Sequence, residues 1–221
     1  MCNLYSTDTG LDAIRSAVRQ LSLDLQPGEG LGNFAGIGRL YPDQDGVIVR
    51  REDNGLRLSS MRWGFPPAPT KDKPKSAKPI TNIRNLDSGW WRNVNGEYLR
   101  EPQYRCLVPF TRFAEPLKGR VNAWFALPGQ EIGWFAGVWR PWHGERLAEV
   151  PGEPKRKRVE QDWRLYAFLT TSPNSVVKPI HPRAMPVILT EPAECLEWLA
   201  GGDDSLRLQR PLSDERLQRV E

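Results

Sequence analysis

The sequence predicts a single strand-rich α+β domain. At 221 residues the chain has the length of one compact domain. Its hydrophobic fraction of 39%, with nine tryptophans, supplies a core that needs no disulfide or metal. Short segments rich in aromatic and β-branched residues are separated by turns, which twenty prolines and nineteen glycines mark. We expect a domain over residues 1–210 and a tail at 211–221 that is only partly ordered.

One helix is predicted near each end of the chain. The first begins near Thr9, with Asp12 as its partner in a capping box, and its apolar residues recur at helical spacing. These apolar residues are Leu11, Ile14, Val18 and Leu21. The second helix has Thr190 as N-cap and Pro192 in its first turn, and it ends at Gly201.

Seven segments between the helices have strand character. They are residues 46–52, 56–64, 104–110, 122–127, 132–139, 163–171 and 185–189. The stretch 149–162 contains four successive basic residues, Lys155 to Arg158, between two strong strand patterns. It predicts a long hairpin loop rather than a linker between domains.

Charge and cysteine content narrow the class of protein. The formal net charge of +4 is compatible with an anionic partner. No segment reaches the ~18 continuous apolar residues of a membrane span, so we expect no membrane partner. Three cysteines without C-x-x-C spacing, and no leader before Cys2, fit a reducing cytoplasm, with nucleoid association if the source is bacterial. No metal or other cofactor is predicted.

Cys2 carries distinctive chemistry if Met1 is removed, as is common when the second residue is small. Its α-amine, of pKa about 7.7–8.0, would then lie beside a thiol of pKa about 8.5. An amine condenses with an aldehyde to a Schiff base, and the thiol can close on the imine carbon to give a five-membered thiazolidine. The alternative is that Cys2 is a small buried hydrophobic residue at the start of a strand.

Glu115 and His181 are candidates for proton transfer. Glu115 follows the apolar run 105–110, where desolvation can raise the pKa of a carboxyl group toward general acid–base work. His181 is flanked by prolines and lies beside Arg183, a natural phosphate ligand. The alternatives are a solvated glutamate at a strand end and a structural histidine in a turn. His143 is expected in an exposed loop.

Asn82 and Arg84 lie two residues apart, so they share a face if the segment is extended. An amide and a guanidinium that point the same way could hold a sugar-phosphate group. The alternative is a turn asparagine followed by a surface arginine.

Together these residues resemble one family. Five segments match the SRAP (SOS response-associated peptidase) family in order and approximate spacing, over nearly the whole chain. The segments are Met1-Cys2-Asn3, Met61-Arg62-Trp63-Gly64, Thr81-Asn82-Ile83-Arg84-Asn85, Arg105-Cys106-Leu107-Val108-Pro109-Phe110 with Glu115, and His181-Pro182-Arg183-Ala184-Met185-Pro186-Val187-Ile188-Leu189.

The resemblance implies a mixed, barrel-like β core with peripheral helices and a basic groove. The implied partner is single-stranded DNA that contains abasic sites, bound by a monomer. Cys2 would capture the ring-opened aldehyde of the abasic site, Asn82 would hold the adduct, and Arg84 would meet phosphate. Glu115 and His181 would transfer protons. Arg183 completes the expected phosphate contacts.

The chain departs from the family pattern at three places. Asn3 and Leu4 stand where many members have glycine and arginine, so a phosphate contact is lost or supplied elsewhere. Residues 65–69, Phe-Pro-Pro-Ala-Pro, replace a region that often holds tryptophan, so base stacking would fall to other rings. The candidate rings are Trp63, Trp90 and Trp91. The context of the glutamate, Phe-Ala-Glu-Pro, only partly matches the aromatic-Glu-Trp context of the family.

Three functions remain open on the sequence. The first is covalent capture of abasic sites, with β-elimination of the Schiff base as a secondary lyase activity. The second is a cysteine (auto)peptidase in which Cys2, His181 and Asn82 form a thiolate, base and orienting amide. The third is a non-catalytic nucleic-acid-binding domain.

Overall fold

The strands form two sheets in a computed structural model, which describes residues 2–21, 25–26, 31, 34–52, 55–67, 78–118 and 121–220. The strands are β1 (Tyr5–Thr7), β2 (Leu25–Gln26), β3 (Ile37–Leu40), β4 (Asp45–Glu52), β5 (Gly55–Trp63), β6 (Asn82–Ile83), β7 (Arg105–Phe110), β8 (Arg112–Pro116), β9 (Asn122–Ala126), β10 (Gly133–Ala148), β11 (Lys157–Thr171), β12 (Met185–Pro186), β13 (Ile188–Leu189) and β14 (Gln218–Arg219). One sheet has the order β14-β9-β8-β1-β3, and the other contains the remaining strands.

The larger sheet closes on itself. Its central order is β11-β10-β7-β4-β5, and β5 pairs in parallel with β11 at Arg62↔Leu165 and Trp63↔Tyr166. This pairing completes a five-stranded barrel, which leaves those strands without an unpaired edge over the paired length. The strand-rich α+β class with a barrel-like core is thus confirmed.

The helices are α1 (Leu11–Arg19), α2 (Gly96–Arg100) and α3 (Pro192–Ala200), with a π-helical turn at Trp90–Val94 and 3-10 turns at Pro102–Tyr104, Asp204–Leu208 and Asp214–Arg216. Both predicted helices are confirmed, but both predicted caps are wrong. Gly10 is the N-cap of α1, with no side-chain cap hydrogen bond. The capping box of α3 joins Glu191 and Glu194, because the helix begins after residue 191 rather than 190.

Successive side chains of the barrel strands point to opposite faces and belong to two different apolar clusters. One cluster joins Val49 and Leu107 of the barrel to α1 and α3. The other joins Ile48 and Phe135 to residues of the smaller sheet, and it includes Cys2. The barrel therefore fixes the smaller sheet, and with it the amino end of the chain.

The seven predicted strand segments are confirmed, and the hairpin loop predicted within 149–162 joins β10 to β11 but is shorter than predicted. β10 and β11 pair from Gly137↔Phe168 out to Ala148↔Lys157, which leaves only residues 149–156 as the loop. His143 is accordingly on a strand rather than in a loop, although its side chain is exposed as expected. The predicted segments do not include the short strands β1, β2, β3, β6, β8 and β14.

The C-terminal segment is better ordered than expected. Leu212 and Leu217 are buried, and β14 pairs with β9 at Gln218↔Ala126. Residues 211–220 therefore pack onto the domain. That residues 1–210 form a domain without them stays a prediction. Within the described part of the chain, no helix is long and apolar enough to cross a membrane.

Candidate functional site

Cys2 is buried three residues before β1 begins, with 1% of its surface exposed. β1 pairs with β8 at Tyr5↔Phe113, and the Ala114 N–H donates to the Leu4 carbonyl at 2.9 Å. The Cys2 Sγ lies 3.5 Å from the Leu4 carbonyl oxygen and 4.0 Å from that of Ala114. This pairing places Cys2 next to the strand that carries Glu115.

Asn82 holds the backbone of Cys2. It lies in β6, which pairs in parallel with β11 at Asn82↔Phe168. Its Nδ2 donates to the Cys2 carbonyl at 2.9 Å and to Thr81 Oγ1 at 2.7 Å. Its Oδ1 is buried and accepts no hydrogen bond from the described residues. A buried acceptor without a donor is uncommon in folded proteins.

Glu115 is fully buried in β8, and neither carboxyl oxygen accepts a hydrogen bond from any described residue. Burial raises its pKa from the ordinary 4.5 to about 7, although the positive charge at the amino end of the chain opposes this shift. A carboxyl group with such a pKa is present in both protonation states near neutral pH, which is the condition for general acid–base catalysis.

His181 lies beside Glu115, with 3.8 Å between its Nδ1 and Glu115 Oε2. Nδ1 is 2.7 Å from the Ala184 carbonyl, an acceptor only, so the neutral ring carries its proton on Nδ1 and a lone pair on Nε2. Burial lowers the pKa of His181; the Ala184 hydrogen bond opposes this, and the amino-terminal and Arg183 charges add to it. The ring is therefore a proton acceptor near neutral pH.

The thiol of Cys2 is held in its neutral form. Burial raises its pKa well above the ordinary value, and the neighbouring charge of Glu115 raises it further. Hydrogen bonding at Leu4 acts in the opposite direction but does not reverse the shift. A thiol in this environment requires a base to take its proton before it can attack.

Arg84 and Arg183 are exposed at the edge of the site. One nitrogen of Arg84, Nη1, donates to the carbonyls of Thr171 at 2.5 Å and Arg183 at 2.9 Å, and Nη2 donates to Ser172 Oγ at 3.2 Å. Arg84 thus joins the two ends of the segment that carries His181. Part of the Arg84 guanidinium is already hydrogen-bonded within the protein. Its contact with phosphate stays a prediction.

The structure contradicts the predicted base contact of Trp63. Its ring is fully buried and stacks on Phe168 with 5.3 Å between centroids, while Nε1 donates to the Thr81 carbonyl at 3.2 Å. No face of the ring is open to a nucleic-acid base. Trp91 is also buried and packs against Phe65, which leaves Trp90 as the half-buried member of the predicted set.

Comparison with known proteins identifies the family. The sequence profile described as SOS response associated peptidase (SRAP) matches residues 1–221. The chain belongs to the SRAP family. Among its relatives, the abasic site processing protein YoqW of Bacillus subtilis (strain 168) is 27% identical over 213 residues, which cover 90% of this chain and 80% of YoqW. The abasic site processing protein YoaM of the same organism is 27% identical over 182 residues, covering 76% of this chain and 67% of YoaM.

Two solved structures share the SRAP fold seen here. An X-ray structure of a protein from Bordetella bronchiseptica has a TM-score of 0.68 at 18% identity, over 100% of both chains. A protein from Bacteroides thetaiotaomicron has a TM-score of 0.63 at 19% identity, over 100% of this chain and 92% of the other. At these identities the likeness extends to the fold alone.

The sequence analysis named all four residues that lie together in this SRAP site. It did not name two residues that hydrogen-bond to them or to their segments. The four residues are Cys2, Asn82, Glu115 and His181. Thr81, next to Asn82, accepts one of the Asn82 amide hydrogens. Asn174, seven residues before His181, makes hydrogen bonds within the His181 segment and to the C-terminal segment. The position of Thr81 in the Thr-Asn-Ile-Arg-Asn motif was an available signal. No local pattern pointed to Asn174.

Proposed function

We propose that this SRAP protein captures abasic sites in single-stranded DNA as a covalent thiazolidine at Cys2. The observation that supports this most is the buried carboxyl group of Glu115, which lacks a hydrogen-bond partner among the described residues and lies beside Cys2 and His181. Burying a carboxyl group in this state is costly, and such groups concentrate at catalytic sites. Two relatives named abasic site processing protein support the choice of substrate.

The reaction begins once Met1 is removed and Cys2 carries a free α-amine. In an abasic site the deoxyribose ring opens to an aldehyde at C1′, and the Nε2 lone pair of His181 takes the proton of the C1′ hydroxyl and delivers it to the ring oxygen as the bond between C1′ and that oxygen breaks. The amine adds to the aldehyde carbon to form a carbinolamine. Glu115, protonated in part at neutral pH, donates a proton to the departing hydroxyl, so water leaves, the nitrogen keeps its own proton as a protonated imine, and Glu115 becomes a carboxylate.

Ring closure completes the capture. Sγ adds to the carbon of the protonated imine while the thiol proton passes to the Glu115 carboxylate, which restores the carboxylic acid. One C–S bond forms, the C=N bond becomes C–N, and no atom leaves. Asn82 keeps the Cys2 carbonyl fixed during these steps, and its Oδ1 can accept a hydrogen bond from the sugar. If closure fails, the imine can undergo β-elimination, which nicks the strand and gives the secondary lyase activity.

DNA binding in this proposal depends on phosphate contacts at the edge of the site. Arg183 is exposed, and its charge is close enough to influence His181. Arg84 retains N–H groups beyond those that bind the loop carbonyls. Both side chains can therefore meet the backbone of a single strand, bound by one copy of the chain.

A cysteine-peptidase mechanism is less well supported. Such an enzyme needs a thiolate, and its cysteine pKa is usually lowered by a histidine or another cation. Here burial and Glu115 raise the pKa of the Cys2 thiol instead. The capture mechanism starts from the amine, so a neutral thiol is compatible with its first step.

The test is a denaturing gel of the protein after incubation with an abasic single strand. Wild-type protein and Cys195→Ala, which deletes a buried thiol outside the site, should both give a retained shift. Cys2→Ala should not, because its imine hydrolyses. Borohydride should trap that imine and restore the shift, which would show that an amine reacts without the thiol.

Three other outcomes would refute the proposal or favour another function. A stable crosslink from Cys2→Ala at wild-type yield would refute the thiazolidine. Binding on a native gel without any retained wild-type shift would indicate a non-catalytic DNA-binding domain. Cleavage of a peptide by wild type but not by Cys2→Ala would favour the peptidase.

A further inference from the structure

The segment that carries His181 is organised by a buried asparagine. Asn174 is 8% exposed, and its Oδ1 accepts a hydrogen bond from the Val177 N–H at 3.0 Å. Its backbone carbonyl accepts from the Lys178 N–H at 2.9 Å, and the Val177 carbonyl accepts from the His181 N–H at 2.9 Å. A continuous series of hydrogen bonds thus leads from Asn174 to the backbone of His181.

The same asparagine is anchored outside this segment. Its Nδ2 donates to the Leu212 carbonyl at 3.1 Å, and Leu212 is buried in the apolar cluster that also contains Cys2 and Val177. Next along the chain, Asp214 accepts hydrogen bonds from both the N–H and the hydroxyl of Ser175. The C-terminal segment therefore holds the turn 174–181 at both Asn174 and Ser175.

We propose that Asn174 is a positioning residue for His181, which fixes the imidazole beside Glu115 by joining the turn 174–181 to the C-terminal segment. Both ends of its amide are satisfied by backbone groups, so it has one orientation and sets the turn against Leu212. Without it, the side-chain hydrogen bonds described between the turn and the C-terminal segment reduce to those of the exposed pair of Ser175 and Asp214. The inference rests on the proposed function only for its effect on the rate of the reaction.

The environment of His181 provides a direct readout of its position. Glu115 faces the ring from β8, Arg183 lies on its own segment, and the amino-terminal charge also acts on it. Burial is the largest influence on the ring and lowers its pKa. If the turn loosens, the ring gains solvent, and its pKa should rise toward the ordinary value.

The chain contains two histidines, so an NMR titration of the imidazoles resolves both. His143 is an internal reference, because it lies on the exposed arm of β10 with its Nδ1 2.8 Å from Asp162. Asn174→Ala should raise the pKa of His181 relative to this reference. Asn174→Ser retains an acceptor for the turn and should give a smaller change.

Asn95→Ala is the matched control. Asn95 is also buried, donates one side-chain hydrogen bond to a backbone carbonyl, that of Trp90 at 3.1 Å, and accepts one, from Arg140 at 2.7 Å. It lies outside the site, so its loss should affect folding in a comparable way without moving the His181 titration. Asn174→Ala should also form the crosslink with abasic DNA up to about 10²-fold more slowly, as expected for a misplaced catalytic group.

The two measurements separate the inference from the proposed function. An unchanged His181 titration in folded Asn174→Ala overturns the positioning role, whatever the rate. A raised His181 pKa with a wild-type rate of crosslinking supports the positioning role and refutes the part of His181 in the reaction. If Asn174→Ala does not fold, Asn174→Ser decides the matter by the same two outcomes.

Discussion

Replacing Glu115 by glutamine should make the protein more stable at neutral pH and leave it nearly unchanged at pH 4.5. The carboxyl group has an ordinary pKa of 4.5 in the unfolded chain and about 7 in the folded protein. Between these values the folded state binds more protons than the unfolded state, so the stability of the wild type falls as pH rises. The difference in pKa corresponds to about 3 kcal/mol at about 1.4 kcal/mol per pKa unit.

Urea unfolding at intervals from pH 4.5 to pH 8 measures this effect. The free energy of unfolding of Glu115→Gln minus that of wild type should grow by about 3 kcal/mol across the range, because titrating groups that do not interact with Glu115 cancel in the difference. Glu131→Gln removes the same charge at an exposed position and serves as the control. A difference for Glu115→Gln that is flat with pH would show that the carboxyl is not destabilised by burial.

The remaining predictions concern the reaction with abasic DNA. Glu115→Gln and His181→Ala should each crosslink roughly 10²–10⁴-fold more slowly yet approach wild-type yield in a long denaturing-gel time course, since the nucleophile remains; wild-type rates in both would contradict proton transfer. With about four phosphate contacts, affinity for single strands should fall roughly fifty-fold between 50 and 200 mM salt, and Arg183→Ala should flatten the slope by about 0.7 in an anisotropy titration. A flat response in the wild type would argue against phosphate contacts. Protein that retains Met1 should bind abasic DNA only reversibly, because an amide nitrogen is not nucleophilic, whereas protein that begins at Cys2 should gain the DNA mass in intact mass spectrometry; equal gain by both would require another nucleophile.

Local pattern was sufficient for most regular elements. The spacing of apolar residues identified α1 and α3, and the aromatic and β-branched segments identified the barrel strands. The sequence prediction ended this strand at residue 139, whereas β10 continues through Arg140 and Pro141 to Ala148. Beyond Val138 the strand no longer pairs with β7 and, among the described strands, is joined only to β11, so a residue without an N–H is tolerated there.

Short strands such as β1 and β14 are defined by their partners rather than by their own two or three residues. β1 has no alternation to recognise, because all three of its residues are buried between β3 and β8. For the same reason the sequence could nominate Cys2 and Glu115 separately but could not show that they lie on adjacent segments. That contact depends on a pairing across more than a hundred residues of chain.

Trp63 illustrates the converse. Its place in a recognised motif suggested a surface for bases, whereas its ring contributes to the core through Tyr5 and Phe168. A residue in a family motif can have a structural role or a ligand-binding role, and its burial in the structure shows which role is possible. Tryptophan can pack in a core or stack on a base, so the residue type alone could not distinguish the two roles.

The hydrogen bond from Asn82 to the Cys2 carbonyl lowers the entropy that the chain would lose on binding a ligand. The first residues of a chain ordinarily sample many conformations, and a ligand that binds them must bear the loss of that freedom. Here the Asn82 amide, at 2.9 Å, and the pairing of β1 restrain the second residue before any ligand arrives. In the mechanism we propose, that ordering is already complete when the aldehyde enters, so the amine acts at a high effective molarity and a rare lesion can be captured on first encounter.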